Sequence, residues 1–195
     1  ITPSTSVTNA VSTITDASTI TITDNDDPPS VSFALSFPSI DENSSSNVTL
    51  TATLSRVSGK SIQIPYTVGG TATETTEFTV SSSPITIPAG STTGTVNFTP
   101  TDDSVYEGNE TGIIAIDTVS GGGATENGTQ SVTITITDNE SAPTVTLTSS
   151  ASSIAENAGS SLTLTATLSV ATTANVTVGI STSGTGTCLL YTSPS

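Results

Sequence analysis

The chain has 195 residues, which is room for one full domain of ordinary size with flanking material. It carries 2 Lys and Arg against 17 Asp and Glu, a formal net charge of -15, which excludes binding to nucleic acid or to an anionic membrane. One cysteine and no histidine exclude a disulfide pair and the zinc, copper and haem sites built on those residues. There is no apolar run of transmembrane length and no visible signal peptide at Ile1, so we expect the chain to begin inside a larger protein.

An internal repeat organises the chain. The segment ITITDNDDPPSVSF (residues 20–33) matches ITITDNESAPTVTL (134–147) at an offset of 114 residues, and the match continues without a gap to residue 187. A repeat period of this length corresponds to a whole domain that is repeated along the chain. We therefore predict the last strands of a preceding repeat at 1–27, a complete domain at 30–140 and the first part of a following repeat at 144–187. Residues 188–195 read, when reverse-translated, like a sequencing adapter, and we set them aside.

Short strands fill the complete unit, in which Val, Ile and Leu alternate with Thr and Ser. This period of two is typical of half-buried strands. Seven strands, A to G, are predicted at 31–37, 48–55, 62–68, 78–87, 93–99, 112–118 and 131–137. Pro84 lies inside strand D, which we therefore expect to be broken or at an edge. The pattern predicts an all-β fold, an immunoglobulin-like seven-stranded antiparallel sandwich.

Acidic side chains gather at one end of this predicted sandwich. The A–B, C–D and E–F connections share that end with the end of strand G. Ten carboxylates fall there: Asp41, Glu42, Glu74, Glu77, Asp102, Asp103, Glu107, Glu110, Asp138 and Glu140. The only two cations, Arg56 and Lys60, fall in the B–C connection at the opposite end.

This segregation of charge favours a divalent cation over a merely solvated acidic surface. Two carboxylates about 4 Å apart repel each other by roughly 1 kcal/mol in water and about 4 kcal/mol at an effective dielectric constant of 20. No basic side chain is predicted nearby to offset that repulsion. Calcium suits such a cluster best, because it takes six to eight oxygen ligands in a flexible cage, whereas magnesium demands a tighter octahedron.

Four motifs in order resemble those of the Calx-β family, a calcium-binding module of sodium–calcium exchangers and of large bacterial surface proteins. The stretch PAGSTTGTVNFTPTDDSVYEGNET (88–111) is similar to the family's strand E and its acidic D-D-x-x-x-E-x-x-E loop. The stretches IDEN (40–43), GGTATETTEF (69–78) and ITDNE (136–140) match the remaining signatures. The resemblance covers the complete unit and both partial neighbours.

The resemblance implies a calcium-ligand set, which we state as an expectation. Side-chain ligands would come from Glu42, Asp102, Asp103, Glu107, Glu110, Asp138 and Glu140, and Val105 would offer its backbone carbonyl. Glu77 stands where the family usually has Asp, so its ligation is open. Asn139 replaces a carboxylate of the high-affinity exchanger versions, which implies fewer ions or weaker binding. In the neighbouring units, Asp24, Asp26 and Glu156 match family ligands.

We therefore expect a calcium-binding structural or adhesion repeat that stiffens a long protein, secreted or at the cell surface. Its expected partners are calcium ions, the neighbouring repeats and a cell-surface or matrix target elsewhere in the parent protein. Two alternatives stay open, a regulatory calcium sensor and a metal-free acidic spacer; nothing in the sequence favours a sugar-binding tip. Catalysis is not expected, because the acids crowd on a convex end and no histidine can pair with a nucleophile.

Overall fold

A computed structural model describes residues 20–23, 25–155 and 159–184. The described residues form β-strands and loops, and the strands are β1 Ser30–Leu35, β2 Ser39–Asp41, β3 Val48–Leu54, β4 Ile62–Ile64, β5 Tyr66–Gly70, β6 Phe78–Val80, β7 Ile85–Ile87, β8 Thr93–Pro100, β9 Val105–Tyr106, β10 Glu110–Ile116, β11 Thr125–Glu126, β12 Ser131–Thr137, β13 Val145–Ser149, β14 Leu164–Leu168 and β15 Ala171–Thr172. No helix long and apolar enough to cross a membrane was found in the part of the chain that is described.

Two main sheets, beside a two-stranded sheet of β4 and β7, build the complete unit. One has five strands in the order β11-β1-β3-β8-β6, and the other has four in the order β2-β12-β10-β5. Along β3, Val48, Leu50, Ala52 and Leu54 are buried while the threonines between them are partly exposed, which is the predicted period of two. The fold class predicted from the sequence, an all-β immunoglobulin-like sandwich, is confirmed.

The core between the sheets is centred on two stacked aromatic rings. The rings of Phe78 and Phe98 have centroids 4.4 Å apart and an interplanar angle of 20°, and both side chains are fully buried. Gly112 on β10 lies over this stack: a Cβ atom there would be 2.6 Å from Cε2 of Phe98. The glycine thus lets the backbone of the opposite sheet approach the rings closely.

Several predicted strands are interrupted or shifted. Strand A changes sheet, since β1 pairs antiparallel with β3 while β2 pairs parallel with β12. Pro65 separates β4 from β5 because it has no N–H to donate to a ladder. Pro84 lies between β6 and β7, so strand D is broken, as its proline predicted. Strand F begins at Glu110, two residues before its predicted start, which places that carboxylate on the sheet.

Besides β2, which lies beyond the predicted end of strand A at residue 37, two short strands of the complete unit were not predicted. β11 pairs parallel with β1 at the edge of the larger sheet, and β9 lies within the acidic E–F loop. Neither segment shows an alternating pattern long enough to be recognised. The antiparallel sandwich therefore has two short parallel pairings at its sheet edges, β1 with β11 and β2 with β12.

The following repeat reproduces the register of the complete unit. β13 pairs antiparallel with β14 so that Val145 faces Leu168, just as Val31 faces Leu54 at the equivalent positions. The environments differ: Val145 is 41% exposed, whereas Val31 is fully buried. The proposed unit boundaries and the adapter tail stay predictions, since residues 1–19 and 185–195 lie outside the described residues, as do Asp24 and Glu156.

Candidate metal centre

The structure brings the predicted acidic residues to one end of the sandwich. They lie on the turn after β2, just before β6, on the loop between β8 and β10, and just after β12. The name "acidic cluster" is used below for this set: Glu42, Glu77, Asp102, Asp103, Glu107, Glu110, Asp138 and Glu140. Six of the eight fall into two groups of three, and Asp102 and Glu110 lie at their margins.

The first group joins Glu42, Asp138 and Glu140. Each offers a carboxylate oxygen within 4.8 Å of the other two. The parallel pairing of β2 with β12 sets the two chain segments side by side, so that Glu42, just after β2, meets the acids that follow β12. Glu42 is only 7% exposed, and burial, ahead of the nearby negative charges, raises its pKa although the amide of Asp103 donates to it.

The second group joins Glu77, Asp103 and Glu107, again with one oxygen from each within 4.8 Å of the others. Asp103 and Glu107 lie on either side of β9, and Glu77 comes from the loop before β6. Burial raises the pKa of Glu107 to about 7, with further contributions from a hydrogen bond to Glu77 and from its charge. Glu77, whose ligation the sequence left open, is thus placed among the other candidates.

Backbone amides fix the carboxylate of Asp138. Its Oδ2 accepts hydrogen bonds from the amides of Glu107 (2.7 Å) and Gly108 (2.5 Å), and its Oδ1 accepts one from Glu140 (2.7 Å). Burial acts to raise the pKa of Asp138, but these donors outweigh it and the pKa lies below its usual value. Asp138 therefore stays ionised and ties the E–F loop to the end of β12.

A second hydrogen bond links Glu42 to the same loop. Its Oε1 accepts a hydrogen bond of 2.9 Å from the amide of Asp103, and Asp103 in turn accepts one of 2.7 Å from the amide of Val105. The two groups of three are therefore neighbours in one hydrogen-bonded network. The loop that carries Asp103 is therefore positioned by the buried Glu42 and the half-buried Asp138 as well as by apolar contacts.

The remaining predicted residues lie at the margin of these groups. Asp102 is exposed, and its Oδ1 accepts a hydrogen bond of 3.3 Å from the side-chain amide of Asn139. Glu110 begins β10; burial and then the charges of Glu77 and Asp138 raise its pKa. Val105 is half-buried on β9.

Sequence reasoning missed Gly108. Its φ of +76° lies in the left-handed region that glycine adopts without strain, and this conformation accompanies the short contact of its amide with Asp138. The only signal for it was a glycine directly after the acidic stretch, which reads equally well as an ordinary turn.

One atom of the cluster lacks a partner. Among the described residues, Oε2 of Glu140 is buried and accepts no hydrogen bond. Burial, the nearby carboxylate of Asp138 and the charges of other neighbouring acids all raise the pKa of Glu140. A buried carboxylate oxygen without a donor is costly, and a cation is the partner that would satisfy it.

The donor set fits a hard cation. Two oxygens that each lie about 2.4 Å from one calcium ion are at most about 4.8 Å apart, and the oxygens of each group of three lie within 4.8 Å of one another. All the side-chain donors are carboxylates, the ligands that calcium prefers. The chain's two cations lie at the opposite end between β3 and β4, where Arg56 pairs with Asp27 at 3.9 Å.

We expect the metal-stripped protein to be more stable near pH 5 than near pH 8. The pKa of Glu107 rises from 4.5 to about 7 on folding, so its stabilising contribution is complete below about 4.5 and is lost as the pH rises through 7. Three other carboxyls share the direction of this shift: Glu42, Glu110 and Glu140. Asp138 acts oppositely, but its contribution is lost only as the pH falls below its ordinary value of 3.8.

Urea midpoints measured from pH 4.5 to 8 in the absence of metal test this expectation. Glu107→Gln should flatten the dependence, because the amide cannot titrate. Asp117→Asn makes the same change at an exposed position beyond β10, away from the cluster, and should leave the slope intact. A wild-type midpoint that stays constant or rises with pH over this range contradicts the expected sign.

Comparison with known proteins identifies a matching family and similar solved structures. Residues 24–140 match the Calx-beta domain family. Three solved structures resemble the chain: CBD12 from CALX1.2 (20% identity, TM-score 0.48, 56% of this chain and 44% of that one), the apo-form Calx CBD1 domain (18%, 0.47, 56% and 98%) and the calcium binding domain CBD12 of CALX1.1 (21%, 0.44, 51% and 40%). The chain thus spans less than half the length of the two CBD12 structures. No curated protein matches it.

Proposed function

The chain belongs to the Calx-beta domain family, and from that premise we propose that its acidic cluster binds calcium and thereby stiffens a repeat of a long extracellular protein. The observation that carries the proposal is the buried Oε2 of Glu140, which has no partner among the described residues and lies beside Glu42 and Asp138. Three carboxylates this close, with both cations of the chain at the other end, require a counter-charge.

Calcium is preferred over magnesium on the chemistry of the cluster. The ligands come from separate loops and from the end of a strand, which suits a large ion with flexible coordination. Magnesium keeps an octahedron of ligands at 2.0–2.1 Å and gives up its waters reluctantly, so we expect it to compete poorly.

The role we propose is structural and not enzymatic. Repeats that keep one register at an offset of 114 residues suit a stalk, whose function is to span distance. A secreted or cell-surface location, and an adhesion target elsewhere in the parent protein, belong to the same proposal. Calcium sites of extracellular modules bind at roughly 10⁻⁴–10⁻³ M and sensor sites at about 10⁻⁷–10⁻⁵ M, and we propose the weaker class.

Calorimetric titration of the metal-stripped full chain with calcium, and separately with magnesium, tests this function. We expect calcium to bind in the weaker range and magnesium to bind more weakly still. Glu42→Gln should reduce calcium affinity by about tenfold or more, because it removes one charge from a buried ligand. The matched variant Asp117→Asn should titrate like the wild type.

The outcomes separate the alternatives. If the chain shows no heat of binding and does not compete with a calcium indicator at 10 mM calcium, the metal-free acidic spacer is the remaining alternative. A micromolar dissociation constant would favour the regulatory sensor. Equal effects of Glu42→Gln and Asp117→Asn would show that calcium is held by general surface charge and not by the cluster.

A further inference from the structure

One asparagine of the chain is followed by glycine: Asn127 precedes Gly128, while every other asparagine precedes a larger residue. Both residues are exposed and lie in the bend between β11 and β12, outside any strand. The main-chain amide that follows an asparagine can attack the asparagine side chain, and glycine permits this most readily because it has no Cβ to obstruct the approach. This pair is therefore where such a reaction is expected first.

The two groups that would react are not engaged elsewhere. Among the described residues, the amide of Gly128 donates no hydrogen bond and the side chain of Asn127 makes none, since only main-chain atoms of Asn127 are bonded. A Cβ atom built on Gly128 would meet nothing within 4 Å, and the φ of +66° lies in the left-handed region that glycine adopts without strain. The bend thus leaves both groups accessible to each other and to water.

Two other exposed asparagines are engaged and serve as references. Oδ1 of Asn47 accepts a hydrogen bond of 3.1 Å from Thr99, and the residue that follows, Val48, is β-branched and buried. Nδ2 of Asn139 donates to Asp102 at 3.3 Å. We therefore expect both side chains to react more slowly than Asn127.

We propose that Asn127 is a site of spontaneous modification. The amide nitrogen of Gly128 attacks Cγ of Asn127, a C–N bond closes a succinimide ring, and the side-chain nitrogen leaves as ammonia with the proton of the Gly128 amide. Water then opens the ring at one of its two C–N bonds. Opening at Cγ gives aspartate, and opening at the main-chain carbonyl gives isoaspartate, in which the main chain runs through Cβ and Cγ. The inference is independent of calcium and of the proposed function.

The segment that carries Asn127 covers the outer edge of β1. The amide of Asn127 donates to the carbonyl of Val31 at 2.9 Å. The carbonyl of Asn127 accepts a hydrogen bond of 2.6 Å from Nε2 of Gln130, and Oε1 of Gln130 accepts one of 3.0 Å from the amide of Phe33. Asn127 therefore holds the side chain that satisfies the edge of the strand at Phe33.

Isoaspartate changes this arrangement, because it adds a methylene to the main chain and removes the carbonyl of residue 127 from it. The spacing between Asn127 and Gln130 is then altered, so we expect Gln130 to lose its contact with Phe33. Ordinary aspartate adds a charge at the same position but keeps the main-chain spacing. The second half of the proposal is that the isoaspartate form opens the edge of β1 at Phe33, whereas the aspartate form does not.

Ageing of the full chain in mildly alkaline buffer, followed by proteolysis and mass spectrometry, tests the site. We expect the peptide that contains residues 127 and 128 to show the mass change of an amide converted to an acid, with isoaspartate identified by electron-transfer fragmentation. Peptides that contain Asn47 and Asn139 should stay unchanged over the same time. Asn127→Gln should abolish the conversion because its longer side chain disfavours ring closure, and the matched variant Asn47→Gln should age like the wild type.

Amide hydrogen exchange, read residue by residue by NMR, tests the effect on β1. The isoaspartate form, separated by chromatography, should exchange its Phe33 amide about tenfold faster than Asn127→Asp does, which corresponds to the loss of one hydrogen bond. The amide of Leu50 in the core should exchange alike in both.

Each outcome decides one part. Conversion at Asn127 that is no faster than at Asn47 or Asn139 overturns the site and the proposal with it. Equal exchange of Phe33 in the isoaspartate form and in Asn127→Asp overturns the opening of the edge and leaves the site standing. Equal acceleration at Phe33 and Leu50 shows a general loss of stability and likewise overturns the opening of the edge.

Discussion

Calcium at 100 times its dissociation constant should raise the free energy of unfolding of the complete unit by about 2.7 kcal/mol, which corresponds to a rise in Tm on the order of 10 °C. The gain arises because the folded state alone assembles the acidic cluster from four separate segments, whereas the unfolded chain holds its carboxylates apart. Thermal unfolding followed by circular dichroism, with calcium titrated into the metal-stripped chain, measures the shift.

The double variant Asp102→Asn/Asp103→Asn should lose most of this shift. Asparagine keeps a side-chain oxygen, so residue 102 can still accept from the side chain of Asn139 and residue 103 from the amide of Val105. The loop geometry is thereby preserved while two charges are removed. Without metal, the variant should be as stable as the wild type or more so, because repulsion within the cluster falls. A variant that is equally destabilised with and without calcium would show a folding defect and not the loss of a site.

The second large effect is expected in the core. Phe98→Ala should destabilise the complete unit by about 3–5 kcal/mol, the cost of emptying a fully buried aromatic site. The ring stacks on Phe78, and Gly112 approaches it from the opposite sheet, so the surrounding backbone has little room to collapse into the void. Urea unfolding in the presence of EDTA measures the loss directly.

Phe37→Ala is the matched control for this prediction. Phe37 is 62% exposed, so the same truncation should change stability by less than about 0.5 kcal/mol. Similar costs for the two variants would show that the Phe78–Phe98 stack is not the centre of the core. Because calcium contributes about 2.7 kcal/mol at 100 times its dissociation constant, it should restore part but not all of the stability that Phe98→Ala removes.

The fold was largely predictable because its signal is local. Alternation of apolar residues with Thr and Ser marks β3, β8 and β12, and Pro84 marks the break in strand D. The short strands β9 and β11 could not be found in this way, because two residues show no period. Their pairing depends on which segments the tertiary fold brings together, and on carboxylates that hold the E–F loop.

The candidate site was predictable at the level of topology but not of contacts. The positions of Glu42 and Asp138 follow from strand order, and the structure brings them together. The division into two groups of three, and the amides that converge on Asp138, depend on backbone conformation at Gly108, which sequence alone does not specify. The ligand set itself stays a prediction until a metal is titrated.

The repeated strand register has a consequence for folding. The heptapeptide TLTATLS occurs at 49–55 and again at 163–169, uncharged, free of proline and rich in β-branched residues. In the complete unit it lies between β1 and β8, whereas β14 has β13 on one side and no second strand among the described residues. Such segments are prone to intermolecular β-pairing, and identical copies in adjacent units invite strand exchange during refolding. Tandem arrays of this repeat should therefore refold less faithfully than a single unit.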